Sequence, residues 1–446
     1  MTVVSNRNYS SFGSAELEAK THGNTDDALV IRFRKLLLEE VDLAELSKLD
    51  ANQRRARLER VIAHLVTREG VVLSTSERNG LIRRVVDESV GLGVLEPLLA
   101  DPSISEIMIN GPETVYVERR GRVERVNATF SSNDQLLQTI DRIVSTVNRR
   151  VDESSPMADA RLPADSRMPR GARVNVVLPP LALNGPTVTI RLFPKAFSLE
   201  QLIGFKSIDR VTAGLLAICV EARLNMVVSG GTGSGKTTFL NVLSSFIPGA
   251  ERIVTIEDAA ELSLDQEHTI RLETRPANVE GKGQITIRDL VRNSLRMRPD
   301  RIIVGECRGG EALDMLQAMN TGHEGSLTTV HANSPDDALS RLETLASMSD
   351  VVIPFTAIRD QVNSAIDIIV QLNRTLDGSR RVTQVAFVLS RRQEEFEIVP
   401  IMRWDPERRN ADGTTGAFLR YPLPEKLIHR LRLVQMQPPT DWTVTA

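Results

Sequence analysis

The stretch Val227–Leu243, VVSGGTGSGKTTFLNVL, decides the reading of this chain. A β-branched run breaks into a glycine-rich turn, and the turn opens a helix with Phe239, Leu240, Val242, Leu243, Phe246 and Ile247 on its buried side. Gly230 to Thr237 fits G-x-x-x-x-G-K-[ST], the phosphate-loop pattern. Its chemistry dictates its residues. Gly230, Gly231, Gly233 and Gly235, with Thr232 and Ser234 between them, let the backbone wrap closely so that successive N–H groups aim at phosphate oxygens. Lys236 adds a point charge for the β and γ phosphates, and the Thr237 hydroxyl is placed to ligate Mg²⁺. Thr238 follows in the first turn of a helix whose positive end faces the same anion. A nucleotide site is expected here, with ATP and Mg²⁺ as its occupants.

Two further runs, RIVTIEDAAEL (252–262) and RPDRIIVGECRGGEA (298–312), each place a short apolar segment ahead of carboxylates, Glu257 with Asp258 and Glu306. Such runs suit buried parallel strands, and an acid just past the carboxyl end of one falls where an open α/β sheet takes its ligand. Glu257 is expected to orient or deprotonate the attacking water, and Glu306 to hold the metal directly or through water. Asp258 reads equally well as the cap of the next turn.

TGHEGSLTTVHANSPDDA (321–338) carries His323 and His331, eight residues apart across a strand and without the company a metal pair needs. Their candidate role is to sense the γ-phosphate by hydrogen bond. Ser334, Pro335 and Asp337 read as the start of the following helix. Residues 269–301 are dense in arginine. Arg271, in the strand-like TIRLE, and Arg275 are the candidates for reaching phosphate, including that of a neighbouring subunit. Arg173 and Arg191, at the edge of the preceding domain, are expected to clamp the nucleotide from the other side.

At 446 residues the chain exceeds one ordinary core. Residues 1–26 read as a disordered tail, 27–100 as a helical bundle, 101–194 as an α/β domain with a strand meander, an amphipathic helix and two later strands, and 195–205 as a linker. From 206 to 446, helix and strand alternate as in a covered parallel sheet, with hairpin strands beyond Asp367. The formal net charge of -3 and 4% aromatic content argue against a general nucleic-acid binder. Two cysteines, Cys219 and Cys307, supply neither a disulfide framework nor a zinc cluster. No apolar run approaches the roughly 20 residues that cross a bilayer. A cytoplasmic protein is expected.

With these residues in view, the chain resembles the secretion ATPases of the type II/type IV superfamily, and most closely the CpaF/TadA-type motors of tight-adherence pili. The likeness runs from about Val90 to Met402. It rests on GGTGSGKTT, TIEDAAEL, DPSISEIMINGP, GPTVTIR and the long run from RLETRPANVEGKG to VHANSP. It implies a RecA-like domain behind a smaller α/β domain, a homo-hexameric ring with ATP in the cleft between domains, and docking on inner-membrane platform proteins, peripheral to the membrane. It also implies Glu257 in an Asp box, Glu306 in Walker B, and His323 and His331 in a His box. Members with a four-cysteine zinc module are excluded by the cysteine count. The leading expectation is thus a pilus-assembly motor. The alternative is the motor of a conjugative or effector type IV secretion system, and a nucleic-acid translocase is the third.

Overall fold

The computed structural model describes residues 28–446 except 38, 42–45, 47, 48, 50, 120, 148, 166, 194, 195, 278–280, 376, 390–394 and 410–414. The tail expected over 1–26 lies outside the described residues. The chain divides into two compact units, Met1–Pro194 and Lys195–Ala446.

The first unit begins with helices over 28–37, Ala51–Arg68 and Thr75–Val90. Their apolar faces meet in one cluster built on Phe33, Leu37, Leu58, Ile62, Leu65 and Val85. Ser74 and Glu77 start the third helix by a reciprocal capping box. A six-stranded antiparallel sheet follows, made of β1 (Ile104–Asn110), β2 (Val115–Arg119), β3 (Arg122–Val126), β4 (Met157–Leu162), β5 (Ala172–Val177) and β6 (Thr187–Leu192), in the order β3-β2-β1-β6-β5-β4. Ile107, Val117, Val174 and Ile190 pack with Leu136, Ile140 and Ile143 of the Asn133–Ser145 helix. The register sets Arg161, Arg173, Arg191, Glu106 and Glu118 side by side across five strands. β4 is a strand that sequence reading missed. Its MADARL is poor in β-branched residues, and pairing with β5 along its whole length makes it a strand.

The second unit holds a nine-stranded sheet of β7 (Met226–Gly230), β8 (Ile253–Glu257), β9 (Thr269–Glu273), β10 (Arg301–Val304), β11 (Leu327–Val330), β12 (Ile368–Arg374), β13 (Arg380–Val388), β14 (Ile398–Arg409) and β15 (Thr415–Arg420). The order is β15-β14-β13-β12-β7-β11-β10-β8-β9. The six strands from β12 to β9 are parallel, and β13 to β15 extend the sheet as an antiparallel meander. Both faces of the central parallel strands are covered, which is why β7, β8, β10 and β11 are buried along their whole length. Met226 and Val228 of β7 enter one core with the Arg210–Glu221 and Lys236–Ser244 helices. Val227 enters the other, with the Glu311–Asn320, Pro335–Ser347 and Phe355–Ala365 helices. Residues 199–204, inside the interval read as a linker, form a helix opened by a Ser198–Gln201 capping box. β15 and the Glu425–Leu433 helix follow the strands that sequence reading anticipated. Among the described residues no helix is long and apolar enough to cross a membrane.

Candidate active site

β7 lies inside the parallel sheet, with β11 on one side and β12 on the other. Its carboxyl end runs into the glycine loop and then into the Lys236–Ser244 helix. Gly230, Gly233 and Gly235 take φ of 157°, 71° and 96°, which a residue with a Cβ rarely adopts. At Gly230 a Cβ would also collide with the Leu372 carbonyl of β12 and with Ser234 Oγ, so the neighbouring strand itself enforces the glycine. Gly231, Thr232 and Gly233 are exposed, whereas Ser234 is buried and its hydroxyl finds no partner among the described residues.

Lys236 is buried at the loop's exit. Its Nζ donates to the Gly231 carbonyl at 3.1 Å and lies 3.4 and 3.3 Å from Nδ1 and Nε2 of His331, one residue past β11. His331 Nε2 is 2.9 Å from Glu306 Oε1, past the end of β10. The Lys236 ammonium and the Glu306 carboxylate thus flank His331 on the same rim. The other Glu306 oxygen takes Arg308 Nη2 at 2.8 Å, and Arg308 Nη1 reaches Asp258 at 3.2 Å, past the end of β8. One polar chain therefore crosses four strand ends, from Lys236 through His331, Glu306 and Arg308 to Asp258. Burial lowers the proton affinity of Lys236, and burial followed by the adjacent ammonium does the same for His331.

Glu257 closes β8 and is only 3% exposed. Its Oε1 accepts the N–H groups of Glu261 and Leu262 at 3.0 and 2.9 Å, while Oε2 accepts from no described residue. Burial outweighs those hydrogen bonds and the nearby Arg271, and pushes the carboxyl up to about 7. Gly305 makes room for it, since a Cβ there would sit 2.9 Å from Glu257 Cγ. The loop after β8 is tied to the phosphate-loop helix by Ser263 N donating to Asn241 Oδ1 at 2.8 Å.

Several expected site residues stand elsewhere. His323 precedes β11, whereas the phosphate loop follows β7, and these strands are parallel. Within one chain His323 is therefore at the opposite end of the sheet from the loop, which corrects its pairing with His331 as a γ-phosphate sensor. Arg271, on the edge strand β9, donates to the Ala260 carbonyl at 3.1 Å, and Arg275 Nε donates to the Gly283 carbonyl at 2.7 Å across a bridge between Arg275 and Ile285. Both guanidinium groups brace local loops of their own chain. Asp258 binds Arg308 and the Thr274 hydroxyl rather than capping a turn. Thr237 and Thr238 lie in the first turn of the phosphate-loop helix, half-buried. Arg173 and Arg191 are neighbours on β5 and β6 of the first unit. Arg308 was missed by sequence reading, although its place two residues after Glu306 was a usable signal.

A glycine loop of this geometry at the carboxyl ends of a parallel sheet, with a buried lysine and flanking acids, defines a P-loop nucleotide hydrolase. Residues 88–406 match the family model described as Type II/IV secretion system protein, and the chain belongs to that family. It is an ATPase of the family. A putative conjugal transfer protein of Mycobacterium tuberculosis (strain ATCC 25618 / H37Rv) is 36% identical over 346 residues, covering 77% of this chain and 97% of the relative. The type IV secretion system protein PtlH of Bordetella pertussis (strain Tohama I / ATCC BAA-589 / NCTC 13251) is 34% identical over 319 residues, covering 65% and 91%. The crystal structure of the pilus retraction motor PilT with bound ADP matches with a TM-score of 0.51 at 20% identity, over 69% of this chain and 82% of that one, a likeness of fold.

Proposed function

We propose that this chain is the hexameric motor of a conjugative or effector type IV secretion apparatus, acting from the cytoplasmic side of the inner membrane on platform proteins. The single observation that carries the reading is the connected chain from Lys236 through His331 and Glu306 to Arg308 at the sheet's carboxyl rim, within a region matched to a secretion family. The relatives named for conjugal transfer and type IV secretion favour this branch.

In the proposed reaction the loop's backbone N–H groups and Lys236 hold the phosphates of ATP. Glu257 Oε2 takes a proton from the water that attacks the γ-phosphorus, the bond to the β–γ bridging oxygen breaks, and ADP and phosphate leave. Thr237, in the first turn of the phosphate-loop helix, and Glu306, past the end of β10, would hold Mg²⁺, which would neutralise charge on the phosphate oxygens. His331 senses the γ-phosphate by donating an imidazole N–H to one of its oxygens. Arg173 and Arg191 are proposed to close on the nucleotide from the first unit, and Arg271 or Arg275 to act only if subunit packing frees them from their carbonyls.

The second reading is a motor of tight-adherence pili. The helical cluster that precedes the family match at residue 88 favours it, as an extension ahead of the matched region. Deleting the gene and scoring DNA or effector transfer against surface pili separates the two. Loss of transfer with intact pili supports the first, and loss of pili alone overturns it. ATPase activity stimulated by single-stranded DNA, and falling steeply with salt, would turn the reading to a translocase.

A further inference from the structure

β12 runs parallel to β7 with Leu372 opposite Gly230, so the β12–β13 hairpin rises directly beside the phosphate loop, on the flank away from His331. Arg380 opens β13. Its Nε donates to the Gly233 carbonyl at 2.8 Å, and its Cδ lies 3.4 Å from where a Cβ on Gly235 would sit. Two other arginines of this rim are engaged. Arg308 binds Glu306 and Asp258, and Arg381 binds the Lys206 carbonyl and Asp377 and stacks on Trp404. Arg380 faces no carboxylate among the described residues, and its cross-strand neighbour is Arg374, another exposed guanidinium without a described partner. Like charges directly opposite on paired strands repel. The hairpin's own acid does not relieve them, because Asp377 is engaged by Thr375, Ser379 and Arg381. Arg380 thus sets a guanidinium with no described carboxylate partner against the phosphate-binding loop.

We propose that Arg380 is a phosphate-binding residue of this site, reaching the α/β-phosphate portion of the nucleotide from the β12–β13 hairpin while its Nε holds the Gly233 carbonyl. The loop's N–H groups cradle the α and β phosphates, and Arg380 touches the middle of that loop, so it serves ATP and ADP alike. Arg374 adds charge behind it. This inference rests on the proposed nucleotide site.

The test is titration of the full chain with mant-ATP and mant-ADP in Mg²⁺, for wild type, Arg380→Ala, Arg380→Gln and Lys236→Ala, with thermal unfolding of each nucleotide-free protein. Arg380→Ala and Arg380→Gln are expected to weaken both nucleotides by about tenfold or more, to a similar extent, with the unfolding midpoint unchanged. The glutamine keeps an N–H for Gly233 but has no charge. Wild-type affinity in the glutamine variant would reduce Arg380 to a loop support, and a loss confined to mant-ATP would place it elsewhere on the nucleotide. Either result overturns the proposal, as does a loss that follows a lowered midpoint. If Lys236→Ala binds as wild type, the nucleotide site itself is misread, whereas loss there with unchanged Arg380 variants defeats this inference alone.

Discussion

The two rims of the nine-stranded sheet are built on different buried polar groups. At the amino rim, Asn225 closes a network. Its Oδ1 accepts the N–H groups of Gly325 and Ser326 at 2.8 and 3.0 Å, its Nδ2 donates to the Ala365 carbonyl at 2.7 Å, and its own N–H binds Asp367, which Arg430 also holds. Arg301, fully buried, donates to Glu251 and to the Val220 and Gly325 carbonyls. At the carboxyl rim, Ser234 Oγ and Glu257 Oε2 have no described partner, and Glu257, Lys236 and His331 are pushed towards their neutral forms. A closed network stabilises a fold, and an open one is poised for a ligand.

The contrast can be broken or sharpened by substitution. The largest effect is expected for Lys236→Ala, which removes the loop's charge. ATP turnover should be abolished and mant-ATP binding largely lost, while the unfolding midpoint of the empty protein holds. Glu257→Gln comes next. It should bind ATP and turn over about a hundredfold to ten-thousandfold more slowly in a steady-state ATPase assay. Because Glu257 is a carboxyl held at about 7, wild-type activity should rise through pH 7 as Oε2 loses its proton. The sign for stability is the reverse. A folded-state value above the ordinary 4.5 means that the carboxyl's contribution is fully present below about pH 4.5 and lost as pH rises through 7. Glu257→Gln should therefore melt higher than wild type at pH 8 and equally near pH 4.5, and a uniform shift would contradict this.

Asn225→Ala is the amino-rim counterpart. It strips partners from two buried N–H groups and a carbonyl and should cost about 3 kcal/mol in denaturant unfolding while leaving KM for ATP near wild type. The smallest effects separate the histidines. His331→Ala should lower kcat by about tenfold, whereas His323→Ala, at the far end of β11, should leave the ATPase rate of a single chain's site within about twofold. A comparable loss from both would mean that His323 acts in a neighbour's site.

The difference in legibility between site residues has the same root. The phosphate loop was readable because all its parts are contiguous, and Glu257 and Glu306 were readable because each follows its own strand. His323 was misplaced because four residues of β11 separate it from His331, enough to carry the chain from one rim to the other. The arginine-rich segment gave no hint that Arg271 and Arg275 bind carbonyls only a few residues away in the fold, or that Arg288 and Arg292 both grip Asp314. Arg380 was invisible because its nearness to Gly233 depends on β12 pairing with β7, a contact 147 residues apart in sequence. β4 needed its partner strand to exist at all.

β12 has a mechanical consequence. It begins one residue after Asp367, which Asn225 and Arg430 of the Glu425–Leu433 helix both bind, and its Leu372 pairs with Gly230. The ribbon is thus a beam anchored at one end and bearing on the phosphate cradle at the other. One uninterrupted strand joins the carboxylate bound by that helix to the phosphate loop.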